Sequence, residues 1–391
     1  MSVTAAAGFR AAGLAAGLKV SGRKDLALVV NTGPEFTAAG VFTTNRVKAA
    51  PVLWSQQVLA DGRLRAVVLN SGGANSCTGP EGFVDTHRTA ELVAEALRQA
   101  PGLDSEVGAV DVAVCSTGLI GVRLPMDKVS AGIAELAPQL SPSGGRAAAE
   151  AIMTTDTVAK QASYADEGWS VGGMAKGAGM LAPGLATMLV VLTTDAVVDN
   201  DLLPGQLADA CRTSFERVDS DGCMSTNDTV ILMSSGASGV RPTAVDFSAA
   251  LSETCRDLAL QLLHDAEGAA HDIAVAVEHA ASEDDAVEVG RAIARSNLFK
   301  CAIFGGDPNW GRVLAAIGTT RADFEPDRID IRLNGVQVCR DGAAGDPRDL
   351  VNLTGRAVTV EVNLRNGRHG ATIWTNDLTY DYVKENAEYA T

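Results

Sequence analysis

Four short runs, LALVVNTG from Leu26, RAVVLNSGG from Arg65, VDVAVCSTG from Val110 and TVILMSSG from Thr229, share one pattern: a β-branched-rich apolar stretch that stops abruptly in Gly, Asn, Ser or Thr. A strand that is apolar at successive positions has no polar face to turn to water, so it belongs in a sheet covered on both sides. The small polar residues that end each run are turn formers, and loops after strands are natural places for a site. Amphipathic stretches lie between the runs: THRTAELVAEALRQA, with Thr86 as a start cap and Pro101 as a stop, then MDKVSAGIAEL and FSAALSETCRDLALQLLHD. In the C-terminal third, RIDIRLNG, AVTVEVNL and ATIWTND alternate apolar with polar, as suits a sheet with one buried face. The expected class is α/β or α+β, with mixed β-sheets sandwiched by helices and a second, smaller α/β domain. A length of 391 residues suggests two or three domains. No fixed-period repeat or long linker marks their boundaries; SPSGG near Ser141 and DGAAGDP near Asp341 are the best loop candidates.

Composition removes several function classes. A formal charge of −16 and 4% aromatic residues oppose phosphate backbones and supply few stacking platforms, so no nucleic-acid partner is expected. No apolar run approaches membrane-spanning length, and the Ala-rich start lacks the basic segment of a leader, so no membrane association and a cytoplasmic location are expected. The seven cysteines are scattered without a CxxC pair and read as reduced core residues. His264, Asp265, Glu267 and His271 lack metal-ligand spacing, and DSDGCMSTND from Asp219 places its glycine too early for a calcium loop, so it reads as a turn. No metal and no cofactor are expected.

The segment GGMAKGAGMLAPGLATMLVVLTTD, residues 172–195, carries a lysine, Lys176, through a Gly-rich loop into an apolar run that begins beside Thr187. Glycines permit strained turns that bring a side-chain hydroxyl against the preceding carbonyl, the geometry an N→O acyl shift requires. Hydrolysis of the ester would leave Thr187 as a new N-terminus. An α-amine of ordinary pKa about 7.7–8.0 is then a usable base for its own hydroxyl at neutral pH, with no histidine needed. A plain loop before a strand produces the same pattern, so the spacing alone does not decide.

MAKGAGMLAPGLATML resembles the self-cleavage segment of the ornithine acetyltransferase family, in which scission falls between the residues here numbered Ala186 and Thr187. VFTTNRVKAAPV, NSGGANSCTG, VCSTGLIG, IMTTDT, STNDTV, DAEGA, DPNWGR and the terminal DLTYDYVKENAEYAT resemble the same family in the same order, so the resemblance spans the chain. It implies an N-terminal-nucleophile-like fold, fragments of residues 1–186 and 187–391 that stay together, and self-association of two alpha with two beta fragments. It also implies roles. Thr187 is the nucleophile, and Thr117 and Gly118, at a strand exit where backbone N–H groups and a hydroxyl face a cleft, form the oxyanion hole. Thr154, Lys176, Thr187, Glu267, Asn386 and Thr391 contact substrate, Lys176 at the α-carboxylate and Glu267 at the cationic side chain. For Asn386 and Thr391 to do so, the C-terminus must fold back over the cleft. Gly73, in NSGGANSCTG, stands where relatives are expected to carry a polar residue, and WTND before Leu378 also departs from the family pattern; neither is expected to touch a catalytic position.

The implied activity is ping-pong transfer of acetyl from N2-acetylornithine to glutamate through acetyl-Thr187, in arginine biosynthesis. The resemblance admits acetyl-CoA as a second donor. Two alternatives stay open at this point: an N-terminal-nucleophile aminopeptidase or amidase with water as acceptor, and a non-catalytic relative.

Overall fold

The computed structural model describes residues 2–100, 106–181 and 188–388. The N-terminal part contains β1 (Phe9–Leu14), β2 (Leu26–Asn31), β3 (Thr37–Phe42), α1 (Ala50–Val58), β4 (Ala66–Asn70), α2 (Gly79–Gln99), β5 (Val112–Ser116), α3 (Met126–Leu136) and α4 (Gly145–Ala151). The central part follows with β6 (Lys160–Asp166), β7 (Trp169–Lys176), β8 (Leu189–Thr194), α5 (Leu203–Arg212), β9 (Thr229–Ser234) and α6 (Ala244–His264). The C-terminal part has β10 (Asp272–Ala280), α7 (Glu283–Ala294), α8 (Asn297–Phe304), α9 (Trp310–Ile317), β11 (Asp330–Leu333), β12 (Val336–Arg340), β13 (Ala343–Ala344), β14 (Ala357–Asn363), β15 (His369–Asn376) and α10 (Tyr380–Glu388).

The apolar runs fold as their composition requires. β2, β4, β5, β8 and β9 are buried along their whole length. They belong to two mixed sheets of order β1-β2-β4-β5 and β3-β9-β8-β7-β6. Because successive side chains leave a strand on opposite faces, Leu189 and Val191 of β8 join a core with the first sheet, α2, α3 and α4. Val190 and Leu192 join a separate core with α5 and α6. The five-stranded sheet is thus covered on both faces. The alternating strands of the C-terminal third form a third sheet, β13-β12-β11-β14-β10-β15, packed on α7, α8 and α9 around its own core. This is the expected smaller α/β unit, and the mixed α/β class holds throughout.

Two expectations about local structure change. The helix read from Thr86 begins at Gly79, and Thr86 lies inside it, donating its hydroxyl to the Gly82 carbonyl at 2.9 Å and accepting from Asn75 Nδ2 at 2.9 Å. A threonine with a partner one turn back looks like a cap in sequence but here ties the helix to the preceding loop. Pro101 lies outside the described residues. The cysteines also divide: Cys115, Cys211, Cys255 and Cys339 are buried, whereas Cys77, Cys223 and Cys301 are exposed, and all seven are free thiols.

Strand directions bring several strand ends to one edge. β4 and β5 run parallel, with Asn70 level with Ser116. In the neighbouring sheet β7 ends at Lys176 opposite Leu189, the start of β8, and Leu189 is level with Thr229, the start of β9. The chain then returns from the far end: α10 lies against the 266–269 turn, where a Cβ on Gly268, at φ +60°, would fall 2.2 Å from the Tyr382 amide nitrogen. Gly268 is therefore required by close backbone approach as well as by its dihedral. Gly268→Ala should displace α10 while leaving the three cores intact; limited proteolysis should remove the C-terminal segment at least about 10-fold faster, for a local cost of about 1–3 kcal/mol. An unchanged cleavage rate would contradict that docking.

Candidate active site

The turn after β5 is held from three sides. Asn70 accepts the Thr117 amide at 3.0 Å through its carbonyl and donates its side-chain amide to Ser116 Oγ at 2.6 Å. Asn227, just before β9, donates to the Ser116 carbonyl at 2.8 Å and to the Ala74 carbonyl at 2.6 Å. Gly118 has φ +129°, and a Cβ there would lie 2.8 Å from the Gly73 nitrogen. Two loops therefore meet backbone to backbone, which only glycine allows. Gly73 abuts Gly118 directly, contrary to the expectation that it stands clear of the assigned positions.

The Thr117 N–H is spent on Asn70, so what Thr117 offers is its hydroxyl, while the Gly118 N–H carries no hydrogen bond among the described residues. Thr117 is buried, and its Oγ1 accepts from Lys176 Nζ at 3.3 Å. A hydroxyl that accepts from an ammonium keeps its own proton to donate.

Lys176 is the last residue of β7 and only 1% exposed, so it is a buried strand residue instead of a loop lysine. Burial lowers its pKa, and the neighbouring Asp156 acts in the opposite direction. Asp156, itself 2% exposed, had no role in the sequence reading yet organises the site. Its Oδ1 accepts from Lys160 Nζ at 2.6 Å and from the Gly177 amide at 2.7 Å, and its Oδ2 from the Thr154 amide at 2.9 Å. Burial alone would raise the Asp156 pKa, but Lys176, Lys160 and the Gly177 N–H outweigh it and hold the carboxyl at about 2.

Of the two threonines in IMTTDT, Thr154 turns its amide and, at 3.5 Å, its hydroxyl to Asp156, while Thr155 donates to Glu267 Oε1 at 2.7 Å. Glu267 Oε2 accepts from Asn386 Nδ2 at 3.0 Å, and the Glu267 amide donates to the Ala178 carbonyl at 3.0 Å. The C-terminal helix thus folds back onto Glu267, as the sequence reading required for Asn386. Lys160 also bonds Asp265 Oδ2 at 2.5 Å, so the Asp156 cluster anchors the loop that carries Glu267. From the other side Asp377 accepts the amides of Ala270 and His271 at 3.0 and 2.9 Å and pairs with His271 Nδ1 at 2.7 Å. His264 instead faces Asp272 at 2.7 Å. The four residues weighed as metal ligands thus point to different partners. Ala186, Thr187 and Thr391 lie outside the described residues; Met188, next in the chain after Thr187, donates its amide to Asp228 Oδ1 at 3.0 Å.

The ArgJ family model matches residues 10–391. The chain is 63% identical over 390 residues to the arginine biosynthesis bifunctional protein ArgJ of Streptomyces avermitilis, with all of both chains covered. The chain belongs to the ArgJ family. It is 60% identical to the protein of the same name from Thermobifida fusca, again over the whole of both chains. Among solved structures it is 63% identical to an ornithine acetyltransferase from Mycobacterium tuberculosis complexed with ornithine, with a TM-score of 0.45, covering 48% of this chain and 96% of that one. An ArgJ structure from Bacillus halodurans is 36% identical, with a TM-score of 0.48, 50% of this chain and 97% of that one being covered. Family membership makes the chain an acyltransferase of arginine biosynthesis.

The Asp156 cluster has a measurable cost of removal. Asp156→Asn leaves Lys160 and Lys176 short of a buried counter-charge and should lower stability by about 3–5 kcal/mol in urea titration near pH 6. The sign with pH follows from a folded pKa of about 2. The unfolded value is about 3.9, so the contribution of Asp156 is complete above about pH 5 and declines as pH falls through 4 towards 2. The stability gap between wild type and Asp156→Asn should therefore narrow between pH 6 and pH 3. A constant gap would contradict the assignment.

Proposed function

We propose that the chain cuts itself between Ala186 and Thr187 and then transfers acetyl from N2-acetylornithine to glutamate through an acetyl-Thr187 intermediate. The observation that carries this reading is the meeting, where the two sheets abut, of the buried Thr117 hydroxyl, the Lys176 ammonium and, paired beside Lys176, the start of β8 two residues after Thr187. In this reading Thr187 Oγ attacks the acetyl carbonyl while its own α-amine takes the hydroxyl proton. The Thr117 hydroxyl and the Gly118 N–H receive the oxyanion, a role in which one preorganised donor is worth about 3 kcal/mol. Ornithine leaves with the proton held by the α-amine. Glutamate then attacks the acetyl ester through its α-amine, and Thr187 is restored.

Lys176, beside Thr117, suits the α-carboxylate that both substrates carry, and a shared amino-acid head lets one pocket serve both half-reactions. Thr154, Glu267, Asn386 and Thr391 complete the proposed substrate contacts, with the Glu267 carboxylate opposite the cationic end of ornithine. The Thr155 hydroxyl, bonded to Glu267, orients that carboxylate. In the uncut chain β7 and β8 pair antiparallel from Val171 with Thr194 to Lys176 with Leu189. Scission would break the chain between two strands that remain zipped together, and two alpha with two beta fragments would assemble from such units.

Purified protein given acetylornithine should transfer acetyl only when glutamate is present, and omission of glutamate should leave acetyl on Thr187. Thr187→Ala should abolish both transfer and adduct, and Thr117→Val should lower kcat by about 10²–10³-fold. Acetate release at the same rate with and without glutamate would make the protein an amidase, and an active Thr187→Ala protein would overturn the reading.

A further inference from the structure

Asp228 immediately precedes β9 and is fully buried. Its Oδ1 accepts the Met188 amide at 3.0 Å, while its Oδ2, also buried, has no hydrogen-bond partner among the described residues. Leaving a carboxylate oxygen unpaired in the interior is costly, and such an atom calls for an explanation. The charged group that acts on Asp228 is Lys176, from the neighbouring β7, and Ser225 on the preceding loop favours its anion through both its hydroxyl and its amide. The carboxyl is thus fixed at one oxygen to the first amide after the Ala186–Thr187 bond, and consecutive Cα atoms are only about 3.8 Å apart.

We propose that Asp228 is the proton carrier of self-cleavage, its Oδ2 shuttling one proton from the Thr187 hydroxyl to the Thr187 nitrogen. The inference rests on the reading that scission occurs before Thr187. Ionised Oδ2 takes the hydroxyl proton as Oγ bonds to the Ala186 carbonyl carbon. The carbon–nitrogen bond then breaks, and the same proton passes from Oδ2 to the leaving nitrogen. Asp228 returns to its carboxylate form, the chain is left with an ester at Oγ and a free amine, and water hydrolyses the ester. Burial raises the Asp228 pKa well above the ordinary carboxylate range, which makes its anion a stronger base than an exposed aspartate. The Met188 amide, Lys176, and the hydroxyl and amide of Ser225 act the other way and favour the anion that begins the cycle.

The test follows scission of the full-length chain after cell-free synthesis, by intact mass on samples quenched in denaturant, between pH 5 and pH 8. Wild type should be cut at a rate that rises with pH along a carboxyl titration. Asp228→Asn keeps the acceptor for Met188 but loses the base, and should be cut at least about 100-fold more slowly with little pH dependence. Asp228→Glu should recover part of the rate with a shifted profile. Scission of Asp228→Asn within about threefold of wild type would overturn the role of Asp228 while leaving the Thr187 reading intact. An uncut wild-type chain would overturn both. Circular dichroism reports whether Asp228→Asn folds. If it does not, the Asp228→Glu profile decides: a shifted arm supports the shuttle, and a profile identical to wild type contradicts it.

Discussion

The arrangement depends on one buried carboxylate. Asp156 gathers the Lys160 ammonium, the Gly177 amide and the Thr154 amide within 2.6–2.9 Å, and lies under the field of Lys176. A buried ionic cluster contributes less to net stability than its contacts suggest, because each charge gives up hydration. What it fixes is position. Through Gly177 it sets where β7 ends, through Lys160 it holds Asp265 and so the Glu267 loop, and through Thr154 it shapes the turn from which Thr155 reaches Glu267. α10 is then added on Glu267 and Gly268. The Lys176 ammonium sits among these anions, against Thr117, in a place where a cation would otherwise be too costly to bury.

The second organising constraint is the sheet. Parallel pairing of β4 with β5 and of β8 with β9 brings strand ends to one edge, and the antiparallel β7–β8 pair links the segments before and after the proposed cut. Asn227 stitches the two sheets by bonding the Ser116 and Ala74 carbonyls across the gap. The asparagine and the aspartate of STNDTV thus serve neighbouring tasks, Asn227 on the turn after β5 and Asp228 on the chain at Met188.

Much of this was legible in the amino-acid sequence because it is local. Unbroken apolar runs announced β2, β4, β5 and β9, and period-two alternation announced β11, β14 and β15. Thr117 and Gly118 stood out as small residues at a strand exit and Lys176 as the lysine of a Gly-rich segment, but the roles expected of them, like those of Glu267 and Asn386, came by resemblance. Lys176 read as a loop residue because the glycines around it mask a strand; Gly172 and Gly173 lie within β7. Asp156, Asn227 and Asp377 were missed because each has a partner that no periodicity encodes, Gly177 at 21, Ser116 at 111 and His271 at 106 residues away, although Asp156 also bonds the nearby Lys160 and Thr154. The available signal was a polar Asn or Asp abutting a fully apolar strand, as in STNDTV, where a side chain destined for the interior must find hydrogen bonds.

Scission before Thr187 in a chain that remains one folded body, as proposed, is tested by intact mass spectrometry of the purified protein in denaturant. Two masses, for residues 1–186 and 187–391, from a sample that elutes as a single species under native conditions are the predicted result. A single mass for the 391-residue chain in a protein active in acetyl transfer, or a cut at any other bond, would contradict the account.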